Sequence, residues 1–429
     1  MKKIVYGLLV GIMALGSCRK DIDPVFSESP DQRLKDTLQM YQRELMGSPY
    51  GWNMVVFPRL NGAYSFYMKF TDSNRVQMFA DMDATTATTM KESSWRLKAL
   101  QQPSILFDTY SYLHQLSDPD GNVNGGPDGV GLQSDFEFAF DGRAGDTIRL
   151  RGRFNHTYAY LVKAKQEEQD AYYQGKATHT IDKVKSMLTF FQRLSTAESK
   201  YDLQFSPETH YMLVGFMDNG KYKLVSSRYY YTLTGVALSN PYDTLQLPFS
   251  KLENVTWNNG SMTCTVDGKQ ATITETALPL QVDKQAPMRW YNIPLADGSY
   301  WQSYNGFHVN GVEDAYNVHA TSRYYSIGYW PQYEEDIDLL PWIVINSAGT
   351  GLTFNYGVGF DGPPTVDASG FIHFNVYGSL GTPPSPVSAP QNTVRKMGDA
   401  GGFYMVQQTD RVFAMVSATD GKSWIFWYH

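Results

Sequence analysis

Five oxygen-bearing side chains crowd one short stretch of this 429-residue chain. Asp118, Asp120, Asn122, Asn124 and Asp128 surround Asp120-Gly121-Asn122-Val123-Asn124-Gly125, which fits the opening D-x-[DN]-x-[DN]-G of a calcium loop. A hard cation takes oxygens from alternate positions, and the glycine permits the sharp turn. The closing bidentate carboxylate belongs at position 131, where the chain has Gly131. Asp118 and Asp128 are left to compensate. Calcium is the one cofactor this pattern could hold. A Gly/Asp-rich turn between strands reads the same residues without a metal.

The second concentration is aromatic. Trp290, Tyr291, Trp301, Tyr304, Tyr329, Trp330 and Trp342 fall between positions 290 and 342, in a chain that is 14% aromatic. Aromatic faces stack on sugar rings and anchor protein interfaces with little entropy loss. They also fill β cores. Both readings stand: a partly exposed surface for a glycan or peptide ligand, or packing. The acidic run Glu334-Glu335-Asp336-Ile337-Asp338 lies in the same segment. It reads as a cation or basic-peptide site, or as a solvated loop.

Other chemistry lacks its motif. The sequence has no H-E-x-x-H, no G-x-S-x-G elbow, no P-loop and no dinucleotide fingerprint. His308 and His319 have no ligand spacing. A non-enzymatic protein is therefore expected. Carboxylate pairs for glycoside hydrolysis are set only in three dimensions, so a surface hydrolase is the alternative, beside a purely structural interaction protein. With 36 Lys and Arg against 43 Asp and Glu, nucleic acid is excluded as a partner, because phosphate neutralisation needs clustered basic residues.

The elements that must position these residues follow an address. Lys2 and Lys3 precede an apolar run from Ile4 to Leu15, shorter than the ~20 residues of a membrane-spanning helix. Leu15-Gly16-Ser17-Cys18 then resembles a bacterial lipobox, in which cleavage before Cys18 leaves a thiol carrying diacylglycerol. An ordinary secretory signal with an incidental Cys is the competing reading. Several acyl chains on one residue hold a protein stably at a bilayer, so the membrane is met through the lipid anchor only. Arg19-Lys20-Asp21-Ile22-Asp23 resembles the surface-export signal of Bacteroidota lipoproteins, which points to the outer membrane facing the cell exterior. Retention on the inner leaflet is its alternative. Cys264 would be the remaining thiol, read as a small core residue.

Beyond the leader the pattern predicts a mainly β fold with minor α. Antiparallel meander sheets or barrel-like β domains follow an N-terminal amphipathic helix, with a second helix near 180–195. Ser29-Pro30-Asp31-Gln32 caps the first helix, and Leu34, Leu38, Tyr41 and Leu45 form its stripe. Phe66, Met68 and Phe70, and then Phe136, Phe138 and Phe140, alternate with period two. Ile181, Val184, Leu188, Phe191 and Leu194 form the second helical stripe. Asn219-Gly220, Asn259-Gly260, Asp267-Gly268 and Asp420-Gly421 predict hairpin turns. The expected organisation is a signal peptide over 1–17 and a lipidated tether over 18–28. A helix plus antiparallel β domain spans 29–164, and a helix plus second β domain spans 165–280. An aromatic-rich β region spans 281–429, either separate from the second domain or continuous with it.

Four strings carry a family resemblance. They are Asp23-Pro24-Val25-Phe26 with Ser29-Pro30 and Arg33-Leu34; Gly51-Trp52; Ser104-Ile105-Leu106-Phe107-Asp108-Thr109-Tyr110 with Leu113-His114 and Ser117-Asp118-Pro119; and Asp135-Phe136-Glu137-Phe138 with Gly145-Asp146-Thr147. Together they resemble the Bacteroidota lipoproteins of domain-of-unknown-function family 4302, well over the first 160 residues and in outline beyond. No activity and no catalytic residue comes with the resemblance. It implies a context, near TonB-dependent transporters of the starch-utilisation type and their lipoprotein partners. The expected role is a binding accessory of nutrient uptake, with a transporter complex or other surface lipoproteins as partners.

Overall fold

Ser29 opens the first helix as its sequence requires: its hydroxyl accepts the Gln32 amide at 3.2 Å, and Pro30 takes the first helical position. The structure is a computed structural model that describes residues 29–177, 179–239, 241–242 and 246–429; Cys18 and the leader lie outside the described residues. Helix α1 (Pro30–Gly47) turns Tyr41 and Leu45 into the core of the domain that follows. Tyr41 stacks on Phe140 with ring centroids 3.7 Å apart. The Trp52 indole N–H donates to the Leu45 carbonyl at 2.9 Å, which fastens the helix end to the first strand.

Strands β1 (Trp52–Phe57), β2 (Tyr64–Phe70), β3 (Arg75–Ala80), β4 (Lys91–Ala99), β5 (Pro103–Phe107), β6 (Glu137–Ala144), β7 (Thr147–Gly152) and β8 (Tyr158–Lys163) pair in sequence order, and β8 returns to β1, closing an antiparallel barrel. Period-two alternation builds its interior: Met54 and Val56, Phe66, Met68 and Phe70, Phe138 and Phe140, and Ile148 and Leu150 share one core. Strand β6 runs through Asp141-Gly142 with a register shift between Phe140 and Arg143, and its hairpin closes at Gly145-Asp146. Helix α2 (Gln166–Tyr173) covers the outward-facing Tyr67 and Phe79 with Tyr172.

A second closed barrel comprises β9 (Phe191–Thr196), β10 (Lys200–Ser206), β11 (Tyr211–Asp218), β12 (Lys221–Thr232), β13 (Gly235–Leu238), β14 (Lys251–Asn258), β15 (Ser261–Val266) and β16 (Lys269–Thr276). The helix expected near 180–195 is a 3-10 turn over Thr180–Ser186 only. Ile181 and Val184 pack into the barrel, whereas Phe191 and Leu194 belong to β9. Their helical spacing was a coincidence of a turn running into a strand. Cys264 is buried in this core.

The C-terminal residues form an eleven-stranded antiparallel sheet from Trp301 to Tyr428. Two helices not anticipated from the sequence accompany it, α3 (Ala286–Asp297) and α4 (Ser388–Met397). Strand occupies 45% of the described residues and helix 18%, so the chain is mainly β with minor α.

The two barrels are bolted together. The Arg228 guanidinium on β12 donates to the carbonyls of Pro58 at 2.5 Å, Gly62 at 3.1 Å and Arg59 at 3.3 Å. His210 Nδ1 donates to the Ala63 carbonyl at 2.7 Å, and its ring stacks on Tyr64. A Cβ on Gly62 would lie 2.1 Å from the His210 carbonyl oxygen, so only glycine allows the approach. The Asp81 carboxylate accepts the Ser65 hydroxyl and the Tyr231 amide, each at 2.9 Å, across the same joint.

Candidate functional site

The aromatic segment does not make a surface. Trp290, Tyr291, Trp301, Tyr329 and Trp342 are buried in the C-terminal core. Trp290 stacks parallel to Trp301, and the Trp301 indole N–H donates to the Trp290 carbonyl at 2.9 Å. Trp330 is half-buried, and only Tyr304 of the seven is exposed. The physical reason is helix α3, which seats its aromatic face on the sheet. The acidic run is divided too. Asp338 is fully buried and accepts the hydroxyls of Tyr291 at 2.9 Å and Tyr329 at 2.6 Å and the Gln332 amide at 2.7 Å. Burial pushes its carboxyl above the usual range, against the pull of those donors.

The candidate calcium loop spends its oxygens on itself. Asp120 caps a short helical turn over Gly121–Asn124, accepting the Asn122 amide at 2.9 Å. Asp128 accepts the Gly121 amide at 2.9 Å, and Asn124 Oδ1 accepts the Gly126 amide at 2.8 Å. Asp118 accepts the Asp120 amide and the Tyr110 hydroxyl, and the latter bond holds its carboxyl below the usual range. Gly131, where a closing carboxylate belongs, has φ +60°, and a Cβ there would meet the Asp118 carbonyl at 2.6 Å. Among the described residues no three His, Cys, Asp or Glu side chains group as a metal site.

The residues that flank that loop, Ser117, Gly129 and Val130, nevertheless form one wall of a cleft of about 590 Å³ on the first barrel. The opposite wall is the turn between β7 and β8. Asp135, buried just before β6, accepts the amides of Phe154 at 2.8 Å, Asn155 at 2.9 Å and Thr157 at 3.2 Å, and the Thr157 hydroxyl at 2.7 Å. Four donors on one carboxylate fix the turn's shape. A Cβ on Gly152 would lie 2.0 Å from Asp135 Oδ2, so glycine is needed here as well. The turn thereby presents Phe154, 86% exposed, at the cleft rim. Phe136 lies in the wall with the His114 ring stacked 4.3 Å from it, and Val130 adds an exposed apolar contact.

Two hydroxyls in this lining, Ser117 Oγ and Ser134 Oγ, are buried without a hydrogen-bond partner. Buried polar atoms without partners are costly, and their usual company is a ligand or a water. The cleft therefore combines an exposed ring, the apolar Phe136 and Val130 in an otherwise polar lining that includes Glu137 and Arg153, and two unpaired hydroxyls buried beneath it. All four hydrogen bonds to the Asp135 carboxylate come from the turn it shapes. Sequence reasoning missed this site, although Ser117, Asp135, Phe136 and Glu137 all belong to the strings that carried the family resemblance.

No curated protein matches the chain. Among solved structures, the DNA polymerase III β subunit from Thermotoga maritima overlaps 92% of this chain and 96% of its own at 7% identity and a TM-score of 0.15. The Helicobacter pylori β clamp overlaps 92% and 97% at 8% identity and a TM-score of 0.17. The transferrin binding protein B from serogroup B Neisseria meningitidis overlaps 86% and 65% at 9% identity and a TM-score of 0.12. Overlaps this loose say nothing about function. A family profile, by contrast, matches residues 22–259, which contain both barrels apart from the last strands of the second and the whole of the cleft. The chain belongs to the family described as Domain of unknown function (DUF4302).

Proposed function

We propose that this is a lipid-anchored outer-membrane surface protein that serves a TonB-dependent nutrient-uptake system as a non-enzymatic binding accessory, and that the first-barrel cleft holds its ligand. The observation that carries the binding role is the pair of unpartnered buried hydroxyls, Ser117 Oγ and Ser134 Oγ, beside an aromatic ring left 86% exposed. A neutral glycan or short peptide supplies what they lack: polar groups for the hydroxyls and an apolar face for Phe154. Binding is favoured over hydrolysis because Asp135, one of two carboxylates in the lining, is held by four donors. Hydrolysis of a glycoside needs one carboxyl free to give up a proton and another free to attack or activate water. Anchoring rests on the Cys18 reading alone; no described helix is long and apolar enough to cross a membrane.

Calorimetric titration of the mature chain with neutral oligosaccharides and tripeptides tests the cleft. One member is expected to bind, and Phe154→Ala is expected to weaken it by roughly tenfold. Absence of binding across both panels, or unchanged affinity in the variant, overturns the reading. Radiolabelled palmitate incorporated by the wild type and not by Cys18→Ala tests the anchor separately.

A further inference from the structure

A second cavity, of about 350 Å³, lies where the second barrel meets the C-terminal sheet. Tyr222 and Leu224 of β12 form one wall. The other is an unbroken run of seven residues from Tyr404 to Asp410. Successive residues of a strand point to opposite faces, so a cavity touched by every one of them sees the strand edge. The pairing agrees. The strand Phe403–Thr409 pairs along one side with Val412–Ser417, but on the other side only Phe403 meets a partner, Ile372. Likewise β12 pairs with β11 over Lys221–Arg228 and takes β13 only from Tyr229 onward. The Tyr404–Asp410 wall is therefore an open strand edge, whereas Tyr222 and Leu224, two residues apart, present one face of β12, and Pro279, Gln281, Asp283 and Arg289 of the connecting segment complete the lining.

Two further observations point to an occupant. Tyr404 is 1% exposed, lines the cavity, and its hydroxyl has no hydrogen-bond partner. The neighbouring Tyr222 hydroxyl is satisfied by Asp202 at 3.0 Å. Charge is uneven as well. Arg289 is neutralised by Asp283 at 2.5 Å and donates to Gln407 at 2.9 Å, whereas exposed Asp410 has no ion pair among the described residues. The lining therefore keeps one uncompensated negative charge.

We propose that this groove takes an extended polypeptide segment carrying a basic side chain, added as a strand to the open edge of Tyr404–Thr409. Main-chain hydrogen bonds to the edge supply affinity, the Tyr404 hydroxyl gains an acceptor, and Asp410 selects the basic residue. Five or six residues cover the edge, the length of an ordinary strand. The groove shares no residue with the first-barrel cleft, so it stands or falls apart from the function proposed there.

The probe is a pool of acetylated, amidated nonapeptides alternating Val, Ile or Thr with polar residues, with one central Lys. Amide hydrogen exchange on the whole mature chain is expected to show saturable protection confined to 404–409. Tyr404→Phe should weaken the pool roughly tenfold, as loss of a buried hydrogen bond does. Asp410→Asn should weaken it severalfold and remove the difference between the Lys pool and a norleucine pool, while Phe154→Ala leaves binding unchanged. A backbone N-methylated pool should not bind. No saturable binding up to about 1 mM, equal binding of the N-methylated pool, or wild-type affinity in both Tyr404→Phe and Asp410→Asn overturns the proposal.

Discussion

Asp81 and His210 sit in the same joint and titrate in opposite senses. Asp81 is 3% exposed, and burial pushes its carboxyl up to about 7, against the pull of its bonds to Tyr231 and Ser65. His210 is buried too, and burial pushes its imidazole down to about 4, against the Ala63 hydrogen bond. A carboxyl whose folded pKa is raised adds stability that is present below its unfolded pKa of ~3.9 and is lost as pH rises through the folded value. An imidazole whose folded pKa is depressed adds stability that is present above ~6.5 and is lost as pH falls through 4. Between those limits the two slopes oppose each other, and the joint is buffered against acid. Asp81→Asn removes one slope. Relative to the wild type, that variant should gain stability as pH rises from 4 to 7, on the order of 4 kcal/mol in total. Urea unfolding at several pH values measures this, and a pH-independent difference would refute it. None of this was legible beforehand, because partners at positions 65, 81, 210 and 231 meet only through barrel closure. The cleft was hidden for the same reason: an unpartnered hydroxyl is a property of packing, and Ser117, Ser134 and Phe154 have no common spacing.

Elements were legible where local chemistry decides them. Asn219-Gly220, Asn259-Gly260 and Asp267-Gly268 all take positive φ and all join adjacent antiparallel strands. Helix α1 follows from its cap and stripe. Helix α3 was hidden by its interior Pro294 and by aromatic residues that suit a strand as well, and α4 by the Pro383-Pro384-Ser385-Pro386 run just before it. The crowding of seven aromatic residues is plain in the sequence, but their exposure depends on what packs against them. Leu45 offers a test of the helix–barrel seal. It is buried among barrel-lining side chains, so Leu45→Ala should cost about 2–4 kcal/mol by chemical denaturation. At Gly62 a methyl group has no room against the His210 backbone, so Gly62→Ala should cost about 1–3 kcal/mol and admit protease at the joint. Cleavage as slow as in the wild type would show that the joint can relax.

At the scale of the molecule, Arg228 is the side chain that makes the most hydrogen bonds between the barrels. Its three carbonyl acceptors all belong to the other barrel's β1–β2 connection. Arg228→Met should remove that clamp and strand the carbonyls. Scanning calorimetry should then resolve two transitions where the wild type gives one for the paired barrels. A single unshifted transition in the variant would place the coupling elsewhere. The closed barrels leave little raw edge beyond the Lys221–Arg228 stretch of β12, so the C-terminal sheet is the main place where the backbone is open. Its last strand, Val376–Gly381, is paired on one side only and contains no charged residue. Val376 and Tyr377 are 52% and 67% exposed on it. Lysine or proline commonly guards such a strand, and this one has neither. The unguarded margin sets how crowded a solution of the chain can become before copies begin to knit. Val376→Lys should raise that ceiling in static light scattering while leaving ligand titration of the cleft untouched.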